Sequence, residues 1–333
     1  MYQVYSSSSE SDPFATLPLC YFTTSPMPTD LELSIFRTIC WFSVFHYPLT
    51  TFEIWKWLLC PSRPYDLFEV SQAFTNSAWL KEKLNQKDGF WTLHSDPLSS
   101  MVEERHKRFL NSVGKYRKLR RACYFFQLLP NVKAVASANT LAWWHTTNES
   151  DIDLYIMTDP NRIWSTRFFL VLPFALFGNR PQQLNGVKVN DPFCFSFFTT
   201  TEALQMESLK YGDEDPYLAY WIKSLVPMLD RSEIFSQLVS VNRWVDVILP
   251  NARQRLSHPS HKARRLFSIP IQWSLFEPLF RSIQRNRFPS NIRDLANKDS
   301  RVIVSDQILK FHNSDRREQF TKEYKEIYER EIS

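Results

Sequence analysis

Apolar residues recur at helical spacing through most of this chain, and its polar breaks mark where one element ends and the next begins. From Leu31, "LELSIFRTICWFSVF" keeps its large apolar side chains on one helical face. "YPLTTFEIWKWLL" follows, with Pro48 as a break and Thr50 or Thr51 as a helix N-cap. "DLFEVSQAFTNSAWLKEKL" reads as one further amphipathic helix, and "NQKDGFWTL" as an Asp-Gly turn leading into a short aromatic strand. "MVEERHKRFLNSVGKYRKLRRACYFFQLL" predicts a long helix with an apolar stripe through Phe109, Val113, Tyr116 and Leu119, stopped by Pro130.

After Pro130 the period changes. "NVKAVASANTLAWW" predicts a β-branched strand, a polar turn and a short helix; "HTTNES" is a loop and "DIDLYIMT" a strand. A helix then runs through Arg167 to Leu176, and "DPFCFSFFTT" is a further strand. This alternation argues for layered strands and helices. "DPYLAYWIKSLVPML", "SEIFSQLVSVNRWVDVIL" and "SIPIQWSLFEPLFRSIQRNRF" all carry helical periodicity, and a charged helix, "DRREQFTKEYKEIYEREI", ends the chain. No internal repeat is present. Residues 1–30, rich in Ser, Thr and Pro, predict a flexible tail. Residues 31–98 are laid out like a winged helix, three helices and a small hairpin.

Composition narrows the classes. Of 333 residues, 44% are apolar and 15% aromatic, ample for real cores. The net charge of +5 suits nucleotides or nucleic acid without demanding them. Five glycines, at 89, 114, 178, 186 and 212, form no cluster, which excludes a glycine-rich phosphate loop. The five cysteines include no CxxC pair and predict buried free thiols. The N-terminal stretch lacks the layout of a signal peptide. The apolar run "FFLVLPFALFG" is short of the ~20 residues a bilayer span needs. The expectation is a cytoplasmic protein with no membrane partner.

The candidate chemistry lies in "ESDIDLYIMT". Residues i and i+2 of a strand share a face, so Asp151 and Asp153 project together while Ile152 and Leu154 turn into the core. Two carboxylates on one face repel unless a cation lies between them. Mg²⁺ accepts one or two carboxylates and leaves room for phosphate oxygens. Two such ions can clamp the attacking and leaving oxygens of a phosphoryl displacement. The bland alternative is that both aspartates face solvent, Asp151 capping a turn.

In this order, "FHYPLT", "KDGFWTL", "LPNVKAVASANTLA", "ESDIDLYIMT", "NRIWSTRFF", "FCFSFF", "NRWVDVILPNA" and "LKFH" resemble the polymerase-β-type nucleotidyltransferase superfamily. They are closest to bacterial nucleotidyltransferase-domain proteins with a winged-helix-like N-terminal region. The likeness implies an α+β fold: a winged-helix-like module at 31–98, a basic connecting helix at 99–130, a small mixed-sheet nucleotidyltransferase core at 131–205 and a helical C-terminal region at 206–333. It implies a metal-dependent enzyme that moves a nucleoside monophosphate from a nucleoside triphosphate to an acceptor hydroxyl. Asp151 and Asp153 would hold Mg²⁺, with two ions possible. Asn139 and Thr140 stand where the family has Gly-Ser and would contact the phosphates, with Arg162 and Arg167 as further phosphate ligands.

The family's third carboxylate belongs on a later strand, but "PFCFSFFTT" holds no acid and presents Cys194 and Ser196 on one face. Asp191 before it and Glu202 after it are the substitutes. Trp143 and Trp144 either stack on a base or block the cleft, and His145 stands in a loop within reach of a substrate. His258 and His261, in "SHPSH", lack a neighbouring acid and make a poor metal site. Nucleic acid is a possible partner, since eight Lys/Arg against two Asp/Glu fall between Met101 and Arg121. The second reading is a catalytically degenerate fold that works as a nucleic-acid- or protein-binding module.

Overall fold

Three capping boxes fix the starts of the N-terminal helices in the computed structural model, which describes residues 27–176, 191–213, 215–253, 255 and 274–332. Thr29 with Glu32 opens α1 (Asp30–Ser43), Thr50 with Glu53 opens α2 (Thr51–Lys56), and Asp66 with Glu69 opens α3 (Leu67–Asn76). In each box the cap side chain accepts from the N3 amide and the Glu carboxylate accepts from the cap amide, so two orphan donors are satisfied. The single helix expected after Asp66 breaks at Ser77. Its extended backbone ends α3, and its hydroxyl accepts from the Leu80 amide at 3.0 Å to start α4 (Ala78–Lys83). β2 (Leu84–Lys87) and β3 (Phe90–Leu93) form the expected hairpin, with Asp88 and Gly89 at φ 52° and 81° as a type I′ turn requires. β1 (Leu49–Thr50) joins β3 to complete a three-stranded sheet.

α5 (Leu98–Phe126) runs for 29 residues. Tyr116 and Leu119 of its expected stripe are buried, Phe109 is exposed, and the charged Lys115 is buried with them. β4 (Val132–Ser137), α6 (Asn139–Ala142), β5 (Ile152–Thr158), α7 (Ile163–Leu176) and β6 (Phe193–Thr200) follow in the order the periodicity predicts. Then come α8 (Pro216–Ser224), β7 (Val226–Asp230), α9 (Ile234–Val241), α10 (Trp244–Ile248), α11 (Glu277–Asn286), α12 (Ser290–Leu295), β8 (Val302–Val304), β9 (Ile308–Phe311) and α13 (Arg317–Ile332). The fold is α+β, with helices at both ends of the chain. No described helix is long and apolar enough to cross a membrane.

The large sheet has the order β7-β4-β5-β6-β9-β8. β5 and β6 are parallel, joined through α7 as a parallel pair requires; every other pairing is antiparallel. Half of this sheet comes from beyond residue 205, where the periodicity predicts helix. "VPMLD" leaves the expected helix and pairs with β4 as β7. The helix expected from Ser232 to Leu249 divides at Asn242, whose side-chain amide donates to the Leu204 and Leu238 carbonyls and whose oxygen accepts from the Met206 amide. Of the cysteines expected to be buried, Cys40 and Cys123 are, Cys194 is half-buried and Cys60 is exposed.

Alternation along the strands divides two cores. Ala134, Ala136, Tyr155 and Met157 face the N-terminal helices, α8 and α9. Val135, Ile152, Leu154 and Ile156 face α5 and α7. Asp153 has the parity of Tyr155, so it lies on the first face, at the end of the strand.

Candidate functional site

Asp153 lies within β5 and lines a cleft, whereas Asp151 precedes the strand, is influenced by the Lys115 charge and does not line that cleft. Ile152 and Leu154 are buried in the second core, and Asp153 pairs in register with Cys194 of the parallel neighbour β6. Burial pushes the Asp153 carboxyl up to about 6. Hydrogen bonds from the Asn139 amide and the Cys194 thiol oppose that rise, and the negative charge of Asp151 adds to it. Asp151 is half-buried; burial raises its pKa and the Lys115 ammonium draws it back.

The turn before α6 supplies the next side chains. Asn139 takes φ 51°, a left-handed conformation that Asn tolerates better than most residues. The amide of Ala138 donates to the Asp153 carbonyl at 3.1 Å, which ties the turn to the acidic strand. The side-chain oxygen of Asn139 accepts from the Trp221 indole N–H at 3.0 Å. That bond leaves the Asn139 NH₂ to face Asp153. Thr140 is exposed at the cleft.

A cleft of about 410 Å³ opens in front of Asp153, with Asn139 and Thr140 on one wall and Lys310, His312 and Arg316 on the other. Lys310 reaches it from β9. Burial and the Arg317 charge lower its pKa to about 8, so it remains largely cationic at neutral pH. Arg317 is buried and paired with Asp215 and Asp315, both at 2.8 Å, which fixes the start of α13 beside the cleft. His312 lies 3.1 Å from the Ser196 hydroxyl, and burial holds its imidazole near 3, neutral. The cleft thus joins the Asp153 carboxyl to a mixed charge network in which Asp315 pairs with Lys310 at 3.7 Å and with Arg317 at 2.8 Å, Arg316 standing beside it.

Other expected residues go elsewhere. Asp191 is ion-paired with the buried Lys115, and its carbonyl accepts from Lys118 at 2.8 Å. Glu202 is exposed beyond the far end of β6. Arg162 and Arg167 do not line the cleft; Arg162 donates to the Asn161 carbonyl, while Arg167 bonds Gln284 at 2.6 Å and stacks over Phe311. Trp144 stacks on Phe109, whereas Trp143 and His145 line a second, aromatic pocket. His258 and His261 lie outside the described residues. Lys115, Trp221, Lys310 and Arg317 escaped sequence reasoning. Only Lys310 left a signal, a lone charge inside the apolar strand "ILKF".

Among the described residues no group of three or more His, Cys, Asp or Glu side chains is placed to hold a metal ion. Two carboxylates, Asp151 and Asp153, are too few for a closed site, so a cation there would take its remaining oxygens from phosphate and water. Comparisons with protein-family models, curated proteins and solved structures returned no match.

Proposed function

We propose that this chain is a metal-dependent nucleotidyltransferase that moves a nucleoside monophosphate from a nucleoside triphosphate to an acceptor hydroxyl. The observation that carries this reading is one cleft holding Asp153, the Asn139–Thr140 turn and the Lys310 ammonium together. Mg²⁺ held by Asp151 and Asp153 would supply charge neutralisation on the transferred phosphoryl group. Arg316 would bind the outer phosphates, the Lys310 ammonium, held by the Ser300 carbonyl and Asp315, would add positive charge behind it, and the Thr140 hydroxyl would donate to a phosphate oxygen. Asn139, fixed by Trp221, would hold the Asp153 carboxylate in position.

Among the described residues lining the cleft, none is a strong base free to receive the acceptor proton. Cys194 faces Asp153 where a third carboxylate would serve, and burial pushes its thiol pKa up, so it stays protonated. His312 is too weak a base. Transfer is therefore slow, by roughly 10²–10⁴-fold relative to a site with a placed base. This same observation favours the second reading, a degenerate fold that binds nucleotide without turning it over. Incubation with each nucleoside triphosphate and Mg²⁺, followed by pyrophosphate release, separates the two. Release that disappears in Asp151→Ala/Asp153→Ala supports the enzyme. Nucleotide binding without release supports the binding module, and neither signal defeats both.

A further inference from the structure

Across the Asn139–Thr140 turn from the Asp153 cleft lies a pocket of about 160 Å³. Its walls are aromatic: Phe42 and Tyr47 from the N-terminal unit, Trp143 after α6, and Tyr220 and Trp221 on α8. It shares Asn139, Thr140, Tyr217, Trp221 and Phe320 with the cleft, so the two are neighbouring compartments. Pockets for drug-sized ligands run from ~300 Å³ upward, so this one admits a single ring system rather than a whole nucleotide.

His145 makes the pocket more than a gap in packing. It is 6% exposed, its ring meets Tyr47 edge-on at 4.9 Å, and neither ring nitrogen has a hydrogen-bond partner. Buried polar groups are almost always paired, so two unpaired nitrogens on one ring need an explanation. Burial, with Arg108, Arg105 and His46 nearby, holds the imidazole near 3. A neutral imidazole offers one donor and one acceptor. Such a ring does not recruit an anion, and the aromatic walls prefer a flat, uncharged partner.

We infer that the pocket between Trp143, Tyr220 and His145 binds a neutral heteroaromatic ring, stacked on the aromatic walls and hydrogen-bonded to the His145 imidazole. The identity of the ring rests on the nucleotidyl-transfer reading of the neighbouring cleft: it belongs either to the donor nucleotide or to the acceptor. The pocket's geometry stands without that reading.

The test uses the full chain without Mg²⁺. Adenosine, cytidine and benzimidazole are titrated separately by calorimetry and against ¹⁵N-histidine-labelled protein, whose seven histidines give resolvable ring signals. Ligand-induced movement of the His145 ring-nitrogen signals is expected in the unmodified chain, a readout that needs no variant to fold. Affinity should fall about tenfold in His145→Phe and recover in His145→Gln. Binding of a nucleoside that a non-hydrolysable nucleoside triphosphate displaces assigns the ring to the donor; binding that the triphosphate leaves in place assigns it to the acceptor. No binding up to about 10 mM, or unmoved His145 signals with equal affinity in His145→Phe, overturns the inference. Asp153→Asn should leave ring binding unchanged, so failure of the metal site and failure of this pocket give different results.

Discussion

The Trp221 indole donates to the side-chain oxygen of Asn139 at 3.0 Å, and this sets which end of the amide meets Asp153. Without that bond the amide is free to turn its oxygen toward a carboxylate. Trp221→Phe keeps most of the apolar packing and removes the donor. The Asp153 pKa, already about 6, should rise further, and Mg²⁺-nucleotide affinity should fall about five- to tenfold. Calorimetry on the variant checks this; unchanged affinity would mean that Asn139 is held by the backbone alone.

Asp153 also makes a stability prediction. Its carboxyl keeps a proton up to about pH 6 in the folded chain, against about 3.9 when unfolded. Between these values the folded state binds more protons, so stability falls as pH rises through the window. Above it the ionised carboxylate costs up to about 3 kcal/mol. Asp153→Asn should therefore raise the melting temperature at pH 7, with the difference from the parent chain shrinking as pH falls toward about 4. Thermal melts from pH 4 to 8 measure it, and an equal or lower melting temperature at pH 7 contradicts the burial of this charge.

Arg317 anchors α13 through Asp215 and Asp315, and all three groups are largely withdrawn from water. Arg317→Ala leaves the buried Asp215 without its cation and Asp315 with Lys310 alone, at 3.7 Å, and should cost about 3–5 kcal/mol in urea denaturation. It should also loosen the wall carrying Lys310 and Arg316. A loss below about 1 kcal/mol, the range of surface pairs, would place the network in solvent.

Cys194 stands directly across from Asp153 on the parallel strand. If the slow step is removal of the acceptor proton, Cys194→Asp supplies the missing base and should raise the transfer rate by about 10²-fold or more. Its cost is a third carboxylate on one face, so the variant should melt lower without Mg²⁺ and recover when Mg²⁺ is added. Initial rates of pyrophosphate release decide it; a rate at or below the parent's rules out a missing base as the limit.

The β4–α6–β5 unit was legible in the chain because each of its signals is local. β-Branched strands, a polar turn and two aspartates spaced i, i+2 need no distant partner to be read. β7 was not legible: "LVPML" continues the apolar run of α8, and a short apolar run fits helix or strand until its pairing partner is known. Only the vacant edge of β4 decides for strand. The break at Asn242 is equally non-local, since its amide satisfies the Leu204 carbonyl from another segment. In the site, Asp151, Asp153, Asn139 and Thr140 came from one continuous stretch. The opposite charges came from β9 and α13, about 150 residues later in the chain, where Arg317 looks like an ordinary surface charge and Lys310, a lone charge in "ILKF", has nothing local that ties it to Asp153. Asp191 was misleading for the same reason, because Lys115 on α5 holds its carboxylate.

The most direct measurement is calorimetric titration of a non-hydrolysable nucleoside triphosphate into the parent chain and into Asp151→Asn/Asp153→Asn, each with and without Mg²⁺. The account predicts that Mg²⁺ strengthens binding to the parent chain at least tenfold and has no effect on the double variant. Equal affinities in all four titrations would contradict the assignment of Asp151 and Asp153 as a metal-holding pair.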